Sequence, residues 1–362
     1  MSLNLLKFSG SHYDVGFQHG EKLSDTIRSS IVPFMQDDMK DRKISKGDGI
    51  KIAKKYESLI GKLFPEVLEE TKGLAEGAGI EYETAMLLLL FWEVRDTISS
   101  DSNECTSFVA AGDATTNGSP FAAQNSDWPM YMKGKNIGQV FHVNVKGRYK
   151  FIGRGLAGNI GRTSVIGFNE KGLSFVGSGI HQVQGARFGF PALVATRIGL
   201  ERCGTVDEFV ELVRSIPAWS HAGENVDVVD SGGNMARISF SSRRIMTVQT
   251  KDHFIASANH YHNLEMRHFG PRNKEEYPSS YARYDRMVEQ LWDNYGKIDL
   301  EVTKKIMSDH KYGDSPPEGD LSICRHADER ETMTSLISDP RKKEFWINPG
   351  TPCKGEYTRF SL

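Results

Sequence analysis

The sequence is short of several features that would have narrowed its role at once. Its 362 residues hold only four cysteines, Cys105, Cys203, Cys324 and Cys353, with no CxxC pair or other short spacing. A disulfide framework or a zinc ribbon is therefore not the organising principle, and neither a metal site nor a cofactor is expected. Charge of one sign is not in excess either. Forty-five Lys and Arg against 47 Asp and Glu leave a net charge of −2, which gives no electrostatic reason for nucleic acid or an anionic membrane as a partner. The longest apolar run, Met86-Leu87-Leu88-Leu89-Leu90-Phe91-Trp92, is far short of the ~20 residues that a membrane span needs. Met1-Ser2-Leu3-Asn4-Leu5-Leu6-Lys7 lacks the basic-then-apolar order of a secretory leader. The expectation is a cytoplasmic protein with reduced thiols, although a leader upstream of these residues would escape the reading. Internal repeats, low-complexity runs and Pro/Gly/Ser-rich linkers are missing as well, and 38% hydrophobic residues suffice for a large core.

What is present is concentrated in two neighbouring stretches. In Asn103-Glu104-Cys105-Thr106-Ser107-Phe108-Val109-Ala110-Ala111, the residues from Thr106 onward are small, β-branched or apolar, as in a buried strand. Gly112 to Pro120 is dense in turn formers, and Asn117-Gly118 is a strong hairpin signal. Phe121-Ala122-Ala123-Gln124-Asn125-Ser126-Asp127-Trp128 then returns antiparallel, which brings the Asp127 carboxylate back towards the Cys105 thiol. A cysteine nucleophile needs a base, because the thiolate is the reactive form. A histidine can serve. So can the α-amine released by cutting the chain just before the nucleophile, whose pKa is ordinarily about 7.7–8.0. Here that route requires cleavage at Glu104-Cys105. On the residues alone, Cys105 as a small buried core thiol stays open as the alternative.

Cys105-Thr106-Ser107, the hairpin and Gln124-Asn125-Ser126-Asp127-Trp128 resemble the start of the mature catalytic chain in cysteine N-terminal-nucleophile hydrolases. Within them the nearest resemblance is to the acyl-coenzyme A:6-aminopenicillanic acid acyltransferase family, and choloylglycine hydrolases, acid ceramidase and N-acylethanolamine amidase are more distant. The likeness runs through nearly the whole chain. It implies an α+β fold of four layers, two antiparallel sheets sandwiched between helices. It also implies a helical pro-segment, 1–104, that stays bound to a catalytic domain, 105–362, after cleavage. Cys105 would be the nucleophile and its α-amine the base, with Asp127 orienting that amine. Glu104 stands where the penicillin acyltransferase has glycine.

Residues 1–104 read as helical, with starts at Ser11-His12-Tyr13-Asp14 and periodic stretches near 48–64, 65–77 and 82–98. Ser11-His12-Tyr13-Asp14 would carry Val15, Leu23 and Phe17 towards the core. The glycine-spaced opening from Gly10 to Gly20 resembles that of the acyltransferase family, and His19 within it reads as a surface or capping histidine rather than a catalytic one. From 105 to about 260 the period moves towards two. Gln139–Val145 and Tyr149–Gly153 pair across Lys146-Gly147, and Ser164–Phe168 and Leu173–Gly179 flank the turn Asn169-Glu170-Lys171-Gly172. Where choloylglycine hydrolases place an asparagine near that strand's end, this chain has Ser178-Gly179, so the resemblance leaves only the Gly179 backbone N–H for the oxyanion, with a bend or close backbone approach at Gly179 as the alternative. Two helices follow at 191–203 and 205–215, the second with a Thr205/Glu208 capping box, and then strands near 226–230, 235–240 and 243–250.

Asn259 closes the apolar strand Phe254-Ile255-Ala256-Ser257-Ala258, and the resemblance assigns its amide to the oxyanion hole. A turn former is the plainer reading of the same residue. Ser279-Ser280-Tyr281-Ala282-Arg283 is similar to the family's serine-aromatic-x-arginine segment, a resemblance that implies an active-site role for Arg283, with a surface arginine in an ordinary ion pair as the alternative and Arg286 facing solvent. Ser322–His326, Thr334–Asp339 and Phe345–Cys353 resemble C-terminal elements of a structural kind. The expected function is thus self-processing followed by hydrolysis or transfer of acyl groups from small-molecule amides: linear amides, acyl-amino acids or penicillin-like compounds. The sequence leaves a homo-oligomer open. Two other classes compete: a Cys-His hydrolase that uses His260 or His262 without autocleavage, and a non-catalytic or unprocessed binding relative with an intact chain.

Overall fold

The computed structural model describes residues 4–95, 104–130, 133, 138–159, 166–180, 188–217, 223–241, 243–311, 321–326 and 329–362, and among them two sheets and ten α-helices of five residues or more carry the fold. Strand β1 (Leu5–Gly10) comes first, then helices α1 (His12–Lys22), α2 (Val32–Asp41), α3 (Lys46–Leu63), α4 (Pro65–Ala78), α5 (Tyr82–Leu89) and α6 (Phe91–Arg95). Strands β2 (Glu104–Gly112), β3 (Gly118–Pro129), β4 (Gly138–Val145), β5 (Phe151–Leu156), β6 (Ile166–Asn169) and β7 (Ser174–Ile180) follow. Helices α7 (Ala192–Arg202) and α8 (Val206–Ser215) precede β8 (Gly223–Val229), β9 (Met235–Phe240), β10 (Ile245–Gln249) and β11 (Phe254–Ser257). The last elements are α9 (Pro278–Asp293), α10 (Leu300–Met307), β12 (Arg330–Asp339), β13 (Glu344–Asn348) and β14 (Thr358–Ser361). Residues 96–98 of the expected helix at 82–98, and Ser164 and Val165 of the expected strand, lie outside the described residues.

One sheet has the order β1-β4-β5-β6-β7-β8-β9-β10 and the other β11-β2-β3-β12-β13-β14. Alternation along the strands sorts their side chains into three apolar layers. Phe141, Val143 and Phe151 of the larger sheet pack with Phe8 and the helices α1–α8. Val140, Ile152 and Val176 meet Val109, Ala122 and Leu336 of the smaller sheet in the middle of the sandwich. Phe108, Ala110 and Ala123 face Met287 and Leu291 of α9 and Ile306 of α10. The order is therefore helix, sheet, sheet, helix.

The expectation of two antiparallel sheets needs one correction. Strand β1 pairs with β4 in parallel, Leu5 opposite Val140 through Gly10 opposite Val145. Residues 1–104 are thus not purely helical. Leu6 and Phe8 supply one apolar face of an edge strand, a pattern too short to stand out against the helical periods that follow. Phe17, expected in the core, is among the exposed large hydrophobics.

Helix α1 begins with a reciprocal capping box between Ser11 and Asp14. It then lies against α4 with glycine meeting backbone. A Cβ on Gly16 would sit 1.9 Å from the Glu70 carbonyl oxygen, and one on Gly73 would sit 2.1 Å from that of Tyr13. Gly20 and Gly77 repeat the contact one turn on. The glycine spacing of the opening segment is thereby explained as close helix packing. A buried ion network fastens the same segment to α7: Arg197 bonds both Glu70 carboxylate oxygens at 3.0 Å and pairs with Glu201, which His12 contacts at 2.9 Å.

His19, expected at the surface or at a cap, is buried. Its ring stacks on Phe8, and Nε2 accepts from the Gly158 N–H at 3.0 Å. Burial, with the Arg197 charge nearby, lowers its pKa to about 3, so the ring is a neutral acceptor.

Two expectations follow. Gly73→Ala must push α1 and α4 apart and should cost about 1–3 kcal/mol in urea unfolding, whereas Gly47→Ala, whose Cβ would meet only Ser45 Oγ at 3.8 Å, should be neutral or mildly stabilising. His19 keeps its proton off in the fold down to about pH 3, whereas an unfolded histidine takes one up below about pH 6.5. Acid therefore favours the unfolded chain across that window. His19→Gln, which retains an acceptor, should shrink the stability difference between pH 7 and pH 4.5 by about 2–3 kcal/mol. An unchanged difference would mean that His19 is not neutral in the fold.

Candidate active site

The hairpin forms with Asn117 and Gly118 both at positive φ, 59° and 65°, as its turn chemistry requires. Its register sets Glu104 opposite Asp127 and Cys105 opposite Ser126. Directly opposed residues share a face and successive ones alternate. Cys105 therefore points, like Ser107 and Val109, into the space between the sheets. Glu104, Thr106 and Asp127 point to the α9–α10 side. The return strand does bring Asp127 back to the start of β2, yet thiol and carboxylate lie on opposite faces, because the pairing partner of Asp127 is residue 104 and not 105.

On the α9 side the site is a knot of buried charge. Arg283 Nη1 donates to the Cys105 carbonyl at 2.6 Å and to Thr106 Oγ1 at 2.7 Å. Its Nη2 donates to Glu104 Oε2 at 3.0 Å and to Asn259 Oδ1 at 2.9 Å. Arg325 binds the same Glu104 oxygen, Ser279 Oγ donates to it at 3.2 Å, and Arg330 Nε lies 3.4 Å from the other oxygen. Burial by itself would raise the Glu104 carboxyl, but the charges of Arg325, Arg283 and Arg330 outweigh it and lower the pKa to about 2. Asp127 shifts the other way. Burial pushes its pKa up, because Arg283 and Arg325 stand 4.0 and 3.9 Å from Oδ2 and only Thr332 Oγ1 bonds Oδ1 closely, at 2.7 Å. Of the two carboxylates, Glu104 is thus the one that the arginines approach more closely.

On the thiol side, Asn259 follows β11, which runs antiparallel to β2 with Ser257 opposite Ser107. Its Oδ1 accepts from the Cys105 N–H at 3.0 Å, and Nδ2 donates across the sandwich to the Gly179 carbonyl at 2.8 Å. Donors on Oδ1 and an acceptor on Nδ2 fix the amide's orientation. Gly179 was expected to offer an N–H; the atom facing Asn259 is its carbonyl oxygen. The Glu104–Cys105 junction is held at the Cys105 N–H, at its carbonyl and at the Glu104 side chain.

Cys105, Asp127, Asn259, Arg283, Glu104 and Gly179 therefore all come together at the start of β2. Of the two histidines in the Cys-His alternative, His260 is engaged by α9. His260 stacks on Tyr281 and places Nδ1 2.8 Å from Ser280 Oγ, and burial, with Arg283 and Arg237 nearby, lowers its pKa to about 3. Arg286, expected in solvent, binds Asp309 through Nε at 2.8 Å. Arg325 is the residue that the sequence reading missed. Its segment, Ser322–His326, was placed among the structural elements; the arginine between two metal- or thiol-prone residues was the available signal. Among the described residues, no helix is long and apolar enough to cross a membrane.

Residues 114–353 match the family described as acyl-coenzyme A:6-aminopenicillanic acid acyl-transferase. The N-acylethanolamine-hydrolyzing acid amidase ortholog of Caenorhabditis elegans is similar at 16% identity and a TM-score of 0.47, over 71% of this chain and 100% of that one. A mutant form of the conjugated bile acid hydrolase of Clostridium perfringens is similar at 11% identity and 0.46, over 71% and 97%. Penicillin V acylase of Agrobacterium tumefaciens is similar at 12% and 0.45, over 71% and 86%.

Removing one member of a buried charge cluster strands the others. In a Cys105→Ala chain, Arg283→Met should lose about 3–5 kcal/mol of unfolding free energy. Arg272→Met, which breaks an exposed pair with Glu276, should lose less than about 1 kcal/mol. Equal losses would show that the knot is not what holds β2 to α9.

Proposed function

The chain belongs to the acyl-coenzyme A:6-aminopenicillanic acid acyl-transferase family, and we propose from that premise that it is a self-processing amidohydrolase or acyltransferase with an N-terminal cysteine nucleophile. Family membership makes it an acyl-amide hydrolase or acyltransferase. Self-processing, the cysteine and the substrate range are the proposal. The observation that carries it is the grip on Glu104–Cys105. Three arginines and an asparagine converge on one peptide junction, which a core cysteine in a strand does not require.

In the uncut precursor the Cys105 sulfur attacks the Glu104 carbonyl carbon. The tetrahedral intermediate collapses to a thioester as the C–N bond breaks, and the former amide nitrogen becomes the Cys105 α-amine. Water cleaves the thioester, leaving a Glu104 carboxylate and a thiol. The segments 1–104 and 105–362 remain together through strand β1, the α1–α4 packing and the Arg197 network. In the processed protein the α-amine takes the thiol proton as sulfur attacks the substrate carbonyl. An amine nitrogen is a backbone atom lying in the plane of the sheet, so Asp127 can reach it from the face opposite the thiol. Asn259 Nδ2, which already points to the thiol's side of the sandwich, donates to the developing oxyanion, and Gly179 holds that amide in place. The charges of Arg283 and Arg325 oppose the burial that raises the Asp127 pKa. The acyl-enzyme is resolved by water or by an acceptor amine. Suitable substrates are small acyl amides: linear amides, acyl-amino acids or penicillin-like compounds.

The decisive experiment is intact mass under denaturing, reducing conditions. Wild-type protein should give two fragments meeting at Glu104–Cys105 that co-elute under native conditions, and Cys105→Ala should remain one chain. Wild-type protein that stays whole on long incubation, with or without acyl-amide turnover, would sink the α-amine mechanism.

A further inference from the structure

From three separate segments of the chain, His310, Cys324, His326 and Cys353 bring four ligand atoms together, all within 4.8 Å of one another. We propose that these residues form a structural Cys2His2 site for a thiophilic divalent cation, zinc in the first instance. The expectation that no metal site exists rested on the lack of short cysteine spacings. Here the fold supplies the spacing instead, from the end of α10, the segment before β12 and the loop after β13.

The geometry is that of ligands around a shared centre. His326 Nε2 lies 3.1 Å from His310 Nε2, 3.1 Å from Cys353 Sγ and 3.6 Å from Cys324 Sγ. Zinc bonds of about 2.0–2.1 Å to nitrogen and 2.3 Å to sulfur put tetrahedral ligand atoms roughly 3.3–3.8 Å apart. The observed separations fall within about half an ångström of that. Hydrogen bonding does not account for the convergence, because one imidazole nitrogen makes one in-plane hydrogen bond and Nε2 of His326 faces three partners. A cation bound to two thiolates and two neutral imidazoles would leave the site uncharged.

The ligands are also held before any cation arrives. Asn125, fully buried on β3, donates from Nδ2 to the Met307 carbonyl at 2.8 Å and to the Ile323 carbonyl at 2.9 Å. The Cys324 N–H bonds the Asp309 carbonyl at 3.1 Å. The segments that carry His310 and Cys324 are thereby tied to each other and to the catalytic hairpin. A turn closed by Lys354 and Gly355 N–H groups on the Thr351 carbonyl presents Cys353. Lys354 Nζ stands 3.5 Å from His326 Nδ1. Ligation through Nε2 places the ring proton on Nδ1 and turns this exposed ammonium out to solvent. The site bears on the acyl-transfer centre through Arg325, which lies between two of the ligands and clamps Glu104, but the proposal does not depend on the acyl-transfer reading.

The test is elemental. Full-length protein from zinc-supplemented growth, purified in reducing buffer without chelator, should carry one equivalent of zinc per chain by plasma mass spectrometry. Cys353→Ser and His310→Ala should retain less than about a tenth of that, while Cys203→Ser and Cys105→Ala keep theirs. Cobalt(II) in place of zinc should give a thiolate-to-metal charge-transfer band that Cys353→Ser abolishes. Zinc-free wild-type protein that takes up none on titration would overturn the site. So would a Cys324–Cys353 disulfide that persists in reducing buffer, or zinc that survives the Cys353 and His310 variants. Because the first reading is made on wild-type protein, a variant that fails to fold does not decide the matter.

Discussion

One guanidinium ties this molecule together at its working end. Arg283 reaches from α9 to a side chain, a carbonyl and a hydroxyl on three successive residues of β2, and to Asn259 beyond β11. A fully buried arginine is tolerable only when its donors are matched and its charge is met. Glu104 meets the charge, and the Cys105 carbonyl with Thr106 Oγ1, Asn259 Oδ1 and Ser279 Oγ matches the remaining donors. The consequence is directional. Whatever fixes Arg283 also fixes the carbonyl of Cys105 and the acceptor of its N–H. The same arginine leaves Asp127 with weaker contacts, which is why two carboxylates opposite each other in one register shift their pKa values in opposite senses.

That geometry assigns residues 1–104 a place in the fold rather than a place beside it. Strand β1 completes the larger sheet, the glycines of α1 and α4 let two backbones touch, and Arg197 is compensated by a carboxylate on each side of the proposed cut, Glu70 before it and Glu201 after it. Losing the segment would strip an edge strand and leave Arg197 half-matched. Cleavage at residue 104 then changes the chemistry of one junction, with little reason for the pieces to separate.

Much of this was legible in the sequence, and the reason differs from one residue to the next. The hairpin could be read because Asn117-Gly118 is a local signal, and the helices of 46–78 because their period is long. Cys105, Asn259 and Arg283 were visible as a set only through resemblance, since each alone has a plainer explanation. What escaped were features whose cause is tertiary. Strand β1 is too short to show a period. The opposed faces of Cys105 and Asp127 depend on a one-residue register that a hairpin loop of unknown geometry does not settle. Arg325 carries only a faint local mark, its place between Cys324 and His326: its meaning comes from Glu104, which is 221 positions away.

The short segment Cys324-Arg325-His326 joins the two sites and gives each a reason for the other. Arg325 must hold its charge against Glu104 and Asp127 although it projects from a stretch with no regular structure of its own beyond a single bridge from His326 to Glu331. A loop arginine of that kind loses conformational freedom when it is fixed, and a residue that supports charge at a catalytic junction needs a rigid base. The flanking side chains, Cys324 and His326, turn into the His310–Cys353 cluster, and a cation there would clamp the backbone on both sides of the arginine. Asn125 completes the connection: it sits two residues before Asp127 and bonds the carbonyl that precedes Cys324. The metal site, the arginine and the carboxylate are therefore linked through one strand, so that ordering the first fixes the position of the second against the third.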